Sequence, residues 1–302
     1  RPGRSGGTAT SLATVTLTCA PQSGNADVLA TVTVRGAAAR RHPAAKRKVT
    51  CPPQPKGGLK LNKRFPLPRP PKGKGIIVHR LKPSLGCAFL TGFANARKFN
   101  EAARLGMGFI DVAVGIRLDY NFATSDYFQQ DSAGQLDFRP CPTCKVVHGL
   151  PPSRATFLSF GFVPTTATLQ LTEVGTLNLV SIGTTQELKA NIAFSEMRLR
   201  VYNVSVNGQK LPVGPHCQTH PFEIVLTGKP GSTPPYSLQG GGPLTGNVSI
   251  PEFHGCGVTE NLNPLFNGTI SGPRNFSQLT QGNLCTPSSD SGCPPRRPRP
   301  IH

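Results

Sequence analysis

The chain contains little of several residue types on which particular protein classes depend. Tryptophan is absent, methionine occurs twice, and 14 acidic residues stand against 33 Lys and Arg, which gives a formal net charge of +19. No apolar stretch approaches the roughly 18 residues that a membrane-spanning helix needs. The sequence therefore predicts a strongly basic protein without a transmembrane segment.

Linear catalytic motifs are absent as well. No Gly-x-Ser-x-Gly elbow, His-Glu-x-x-His or Ser-x-x-Lys set occurs in a suitable context. Asp111, Asp119 and Asp126 lie in or near one predicted strand, where paired carboxylates would suit glycoside cleavage. Because Asp111 and Asp119 fall on the polar phase of that strand, we interpret them as solvated residues. The sequence thus assigns no catalytic residue and no cofactor.

Glycine, proline and cysteine are abundant, with 33, 31 and 9 residues. Glycine and proline favour short strands joined by turns. The cysteines favour disulfides in an oxidising compartment. The chain starts with Arg1 rather than Met, which is typical of a processed export product or of an arbitrary boundary. The cysteines that we expect in disulfides are Cys19, Cys51, Cys141, Cys144, Cys217 and Cys256, and the odd cysteine is Cys87, Cys285 or Cys293, with Cys87 or Cys293 favoured.

A zinc site is the alternative for some of these cysteines. Cys141-Pro-Thr-Cys144 has the spacing of half a zinc site, and nearby histidines offer further ligands. We favour disulfides, and hence no metal, because one oxidising compartment accounts for all four cysteines of the region at once. The histidines concerned are His148, His216, His220 and His254.

Positive charge is concentrated at the N-terminal end. Residues 1–85 hold 17 Lys and Arg against the single acid Asp27, while residues 86–285 hold 13 against 12. Such segregation is typical of a segment that contacts an anionic polymer or surface. Nucleic acid is disfavoured as the partner because Phe65 is the only aromatic residue in the basic region. The candidate anion-binding residues are Arg40, Arg41, Lys46, Arg47, Lys48, Lys72 and Lys74.

Composition divides the chain into four segments. Two alternating runs, with Cys19 brought towards Cys51, predict a small, loosely immunoglobulin-like N-terminal β module. The basic, Pro-rich segment after it is expected to be an extended spacer, since proline fixes φ and lacks a donor. The predicted segments are 1–52 (module), 53–85 (linker), 86–285 (main domain) and 286–302 (disordered tail).

Alternation of apolar and polar residues dominates the main domain. Its longest run, Ile110–Phe122, is apolar at every second position and predicts an amphipathic strand. Asn207 and Gly208 mark a hairpin turn because both residues accept positive φ. Phe93–Leu105 is the one helix candidate of note. Further strands are predicted at residues 167–171, 177–179, 197–206 with a bulge at Tyr202 and Asn203, Phe222–Thr227, Leu244–Ile250 and Leu265–Ser271.

Together these patterns predict an all-β fold, in which the main body is an antiparallel, jelly-roll-like β-sandwich. An up-and-down barrel is the alternative.

Five segments of the main body are distinctive as strings: FLTGFANARKFNEAA, FGFVPTTATLQL, MRLRVYNVSVNGQKLPVGPHCQT, GGPLTGNVSIPEFHGCGV and NPLFNGTISGPRNFSQLTQGNLC. They resemble segments of an uncharacterised family of secreted, β-rich proteins from high-GC actinobacteria, over most of residues 88–285. The resemblance implies export and a β-rich body, and it transfers no active site.

We therefore expect a secreted, non-catalytic protein of the cell envelope, whose cationic N-terminal region contacts anionic cell-wall polymers or surfaces. One alternative is a secreted hydrolase or carbohydrate-active enzyme with a site assembled from loops. The other is a lipid carrier or pore-like assembly that uses the Ile110–Phe122 strand. An open cavity along that strand would favour the carrier, and carboxylates lining a cleft would favour the enzyme.

Overall fold

The structure is a computed structural model, and it describes residues 57–72, 75–80, 82–98, 101–121, 123–140, 144–159 and 161–286. The chain divides into two compact units, residues 1–48 and 49–302, and every described residue belongs to the second. The predicted N-terminal module with Cys19 and Cys51, and the tail beyond Thr286, lie outside the described residues. The elements are β1 Ile77–Arg80, β2 Ser84–Ala96, β3 Glu101–Asn121, β4 Tyr127–Phe138, β5 Val147–His148, β6 Ser153–Ser159, β7 Val163–Glu173, β8 Leu177–Gly183, β9 Leu188–Val206, β10 Gln209–Leu211, β11 Gln218–Thr219, β12 Phe222–Gly228, β13 Gly242–Ile250, β14 Phe253–His254, α1 Asn263–Thr269 and β15 Gly272–Gln281.

The prediction of an all-β, antiparallel sandwich is confirmed, and the strands pair in one continuous sheet. Eight strands pair in chain order around a closed ring: β2, β3, β4, β8, β9, β12, β13 and β15, with β15 pairing back to β2. The pairing between β12 and β13 is the shortest in the ring, with one registered residue pair, Thr227 and Thr245. Inward-facing residues from opposite sides of the ring meet in one apolar core.

The long strand predicted from Ile110 is confirmed as far as Asn121, the last described residue before a gap. Ile110 and Val112 face the core and are 3% and 0% exposed. Other predictions are confirmed too. The hairpin turn between β9 and β10 has positive φ at Asn207 and Gly208, and the register of β9 shifts beside Asn203, which also has positive φ.

The predicted helix at Phe93–Leu105 is wrong, because its first four residues belong to β2 and its last five, from Glu101 on, belong to β3. Ala94 lies opposite Ala103 in the ladder between those strands, and β2 pairs with β15 along its other edge. The backbones approach so closely there that a Cβ on Gly92 would lie 2.0 Å from the carbonyl oxygen of Gln278. Non-local pairing on both edges outweighs the helix propensity of the alanine-rich segment.

The predicted strand at Leu265–Ser271 is wrong as well, because α1 occupies most of it. Pro264 stands in the first turn of α1, where a missing N–H costs nothing. Phe266 is buried and packs against Phe253, with 5.7 Å between ring centroids. Within the described residues, no helix has the length and apolar character that crossing a membrane requires.

Part of the predicted linker packs on the main body. Residues 57–70, which we call the strap, lie against β3, β4, β8 and β9. Leu59 is buried against Ala113 and Ala133, and the ring of Phe65 stacks on Phe194 at 6.0 Å. The strap is therefore not a free spacer, because its apolar side chains remove apolar surface of the sheet from water.

Candidate binding cavity

An apolar cavity lies inside the ring. It has two adjoining parts of about 80 and 60 Å³, which share six lining residues. Protein interiors are usually packed without voids larger than a water molecule, and about 10–15 Å³ is enough to admit one. Each part is thus larger than an ordinary packing defect. The shared lining residues are Ala94, Leu105, Leu150, Leu171, Ile224 and Ser277.

The cavity exists because small side chains occupy inward positions on adjacent strands. The register aligns Ser277 of β15 with Ala94 of β2, and Ala94 with Ala103 of β3. These three residues form a row across the wall and all line the larger part of the cavity. Leucine at such positions would fill the space. On the opposite side of the ring, Leu199 of β9 completes the apolar lining.

The larger part of the cavity approaches the surface beside the turn between β2 and β3. Ala102, which is exposed, lines this part together with the half-buried Asn95. The side-chain oxygen of Asn95 is buried and has no hydrogen-bond partner. Asn275 also lines this end, and its amide donates to the carbonyl oxygen of Gly272 at 2.7 Å. The cavity therefore combines an apolar interior with a few polar groups near its outlet.

Three carboxyl groups come together from β3, β4 and β7. Asp111 is fully buried, and its carboxyl lies within hydrogen-bonding reach of Asp137, a contact that requires a proton on one of the two. Burial raises the pKa of Asp111 to about 8, and the hydrogen bond and charge of Asp137 add to the rise. The half-exposed His148 lies 2.6 Å from Asp137. Asp111 receives no hydrogen bond from an N–H or hydroxyl group.

Glu173 is the third member of this cluster. Its Oε2 accepts a hydrogen bond of 2.9 Å from the backbone N–H of Leu136, while its Oε1 is buried without a partner. Burial raises the pKa of Glu173 to about 8, the Leu136 N–H opposes the rise, and the charge of Asp137 adds to it. Neither Asp111, Asp137 nor Glu173 lines either part of the cavity. The cluster is a proton-holding feature of the wall rather than the floor of a cleft.

A second polar network lies under the strap. Arg117 makes an ion pair of 2.5 Å with Asp119, and Gln129 donates to Asp131 at 2.9 Å and to the carbonyl oxygen of Pro68 at 3.2 Å. The interpretation of Asp111 and Asp119 as solvated is therefore wrong, since both are 0% exposed. The strap packs on this face of β3, which the alternation alone marks as the solvent side. Asp126 is exposed.

The described surface of the main body is more cationic than its formal charge indicates. Five of the 12 acidic residues in 86–285 are buried, whereas no Lys or Arg of the described residues is. The numbers of basic and acidic residues in this part of the sequence are nearly equal, but the exposed charges are mostly positive. The buried acids are Asp111, Asp119, Asp131, Asp137 and Glu196.

The predicted pairing of Cys217 with Cys256 is confirmed, and this excludes both sulfurs as zinc ligands. Cys144 is also disulfide-bonded. The expectation that Cys87 or Cys285 is unpaired is wrong, because both are disulfide-bonded. Cys141 and Cys293 lie outside the described residues. Among the residues that the structure describes, no group of three His, Cys, Asp or Glu side chains has a metal-binding arrangement.

Of the predicted anion-binding residues, the structure describes only Lys72, and its side chain is exposed. The others, Arg40, Arg41, Lys46, Arg47, Lys48 and Lys74, lie outside the described residues. The anion-binding site therefore remains a prediction from the sequence.

Fold and cavity together define the class: an all-β protein whose antiparallel sandwich closes around an apolar cavity. The chain matches no known protein-family profile, no curated protein and no solved structure.

Proposed function

We propose that this protein binds a small apolar molecule, or the hydrocarbon chain of an amphiphile, in the cavity inside the ring. The observation that carries the proposal is the row of small side chains, Ser277, Ala94 and Ala103, which keeps the inside of three adjacent strands open. Ligand sites are typically concave, largely apolar and equipped with a few polar groups. The proposal corresponds to the carrier alternative of the sequence analysis.

The size of the cavity limits the ligand. An engineered apolar cavity of about 150 Å³ stays dry and takes up benzene, and the two parts here measure about 80 and 60 Å³. The cavity can therefore hold a compact apolar molecule or a short length of alkyl chain. Each buried methylene contributes about 0.8 kcal/mol, which is roughly a fourfold gain in affinity.

A series of linear alcohols from butanol to decanol tests the proposal by calorimetric titration. We expect the affinity to rise roughly fourfold with each methylene until the cavity is full, and then to level off. Ala94→Leu fills the cavity from its shared wall and should abolish binding of the longer alcohols. Ala123→Leu makes the same chemical change at an exposed position away from the cavity and should bind as the wild type does.

Two results would contradict the proposal that the cavity binds an apolar ligand. One is a set of alcohol affinities that does not depend on chain length. The other is equal binding by the Ala94→Leu and Ala123→Leu variants, provided that both melt cooperatively.

Secretion and contact with anionic envelope polymers belong to the same proposal. They are supported by the disulfide-bonded state of Cys87, Cys144, Cys217, Cys256 and Cys285, by the basic N-terminal segment, by the resemblance described above and by the excess of exposed positive charge. Electrostatic contact predicts retention on isolated cell walls that moderate salt reverses. Retention that salt does not affect would contradict it.

The hydrolase alternative finds less support in the geometry. Asp111 and Asp137 are 0% and 3% exposed and line neither part of the cavity. A substrate could not reach them without movement of the wall, whereas an apolar ligand has space already formed.

A further inference from the structure

A row of polar side chains crosses four strands on the outside of the ring. The register places Gln170 of β7 opposite Arg200 of β9. Gln218 of β11 lies on the other side of Arg200 and is itself opposite His254 of β14. Residues paired across an antiparallel ladder project to the same face. The four side chains therefore share one surface, and His220 extends it, with its ring 4.5 Å from that of His254.

Arg198 belongs to the same surface. It lies two residues before Arg200 on β9 and opposite Thr172 of β7, so its side chain projects outwards as well. Leu199 and Val201, which alternate with the arginines, are buried in the core. The surface is thus separate from the cavity, although one strand contributes to both.

Neither Nε–H of these two arginines has a hydrogen-bond acceptor among the described residues. Arg198 and Arg200 are half-buried, and the Nε of each is buried with no hydrogen-bond acceptor. None of the carboxylates that the structure describes forms an ion pair with either group, and Glu196, the nearest acid along β9, is paired with Arg64 at 2.6 Å. A buried donor without an acceptor costs about 1–3 kcal/mol. Two such donors side by side call for an acceptor that the described residues do not supply.

We propose that Arg198 and Arg200 form a binding site for an oxyanion, meaning a phosphate or a carboxylate group. The planar fork of arginine matches both groups in a bidentate way. The amides of Gln170 and Gln218 add neutral donors on either side of Arg200. Tyr202 lies against the guanidinium of Arg200, at 5.2 Å from the ring centroid, and so holds it in place. This site does not depend on the cavity being a ligand site.

The arginine Nε–H signals of the wild-type chain report on the site directly. Their nitrogen–proton correlation spectrum is recorded during titration with inorganic phosphate and, separately, with acetate, both at constant ionic strength. We expect the Nε–H signals of Arg198 and Arg200 to shift and to saturate with at least one of the two anions. The anion that binds more tightly identifies the ligand group.

Variants make the test specific. Arg200→Gln should weaken the binding of that anion at least tenfold, since it removes a charged, bidentate contact. Arg154→Gln, a matched change at an exposed arginine of β6, should leave binding unchanged. The proposal is overturned if the signals of Arg198 and Arg200 move no more than that of Arg154 in the wild type. It is also overturned if Arg200→Gln binds the anion as tightly as the wild type.

Discussion

Replacing Glu173 by Gln tests the proton-holding cluster in the wall of the ring. The amide has nearly the shape of the protonated carboxyl and keeps an oxygen that accepts the N–H of Leu136, which lies 2.9 Å from Glu173. It removes the possibility of ionisation. Glu173→Gln therefore separates the effect of charge from the effect of packing.

The size and sign of the effect follow from the two states of the chain. Glu173 has an ordinary pKa of 4.5, which we take for the unfolded chain, whereas burial raises the pKa in the folded protein to about 8. Between these values the folded chain holds a proton that the unfolded chain has lost, so stability falls as pH rises. Each pH unit costs about 1.4 kcal/mol, and the whole window costs at most about 5 kcal/mol. Below pH 4.5 both states are protonated and this contribution is constant.

Urea unfolding followed by circular dichroism at pH 4, 6 and 8 measures the effect. We expect Glu173→Gln and the wild type to have similar free energies of unfolding at pH 4. At pH 8 the variant should be more stable by about 2–5 kcal/mol. Glu187→Gln is the control, because Glu187 is exposed.

The reasoning fails if the difference between Glu173→Gln and the wild type is the same at all three pH values. It fails also if the variant is the less stable protein at pH 8, since Glu173 would then be a stabilising carboxylate rather than a buried acid.

Two further changes test how the sheet is held together. Replacing Cys217 and Cys256 together by Ala removes a cross-link between residues 39 apart, and the free energy of unfolding should fall by about 4 kcal/mol in urea titrations; an unchanged value would show that the loop is fixed by its other contacts. Arg64→Met leaves the carboxylate of Glu196, 5% exposed, without its cation and should lower stability by about 1–2 kcal/mol. Adding Glu196→Gln to Arg64→Met should recover most of that loss, and no recovery would place the role of Arg64 elsewhere.

The strands and turns of the main body could be predicted from the sequence because their signals are local. Alternation at Ile110 and Val112 marks the inward face of β3, and positive φ at Asn207 and Gly208 follows from residue type. The helix predicted at Phe93–Leu105 shows the limit of local signals. Alanine favours a helix on its own, but pairing with β3 and β15 decides the outcome.

The cavity could not be predicted for a related reason. It depends on Ser277 standing beside Ala94 and Ala103, and the register that aligns Ser277 with Ala94 joins residues more than 180 positions apart in the chain. The sequence predicts a helix over Ala94 and Ala103, so it shows neither that these residues face inwards nor which residues lie beside them. The burial of Asp111 and Asp119 was missed because alternation separates the apolar face of a strand from its polar face but does not show whether other residues cover the polar face. That the strap packs on the second face of β3 depends on Leu59 and Phe65, in a segment that composition marks as a linker.

The strand β9 shows why cavity and outer surface have to be considered together. It has 19 residues and pairs with β7, β8, β10, β11 and β12. A slip of one residue against β7, which pairs with Arg198, Leu199 and Arg200, would turn the two arginines into the core and Leu199 out to water. That exchange would bury two charges without partners, at a cost of several kcal/mol each. The alternation that lines the cavity therefore also fixes the two arginines on the outer surface, where they are free to bind an anion.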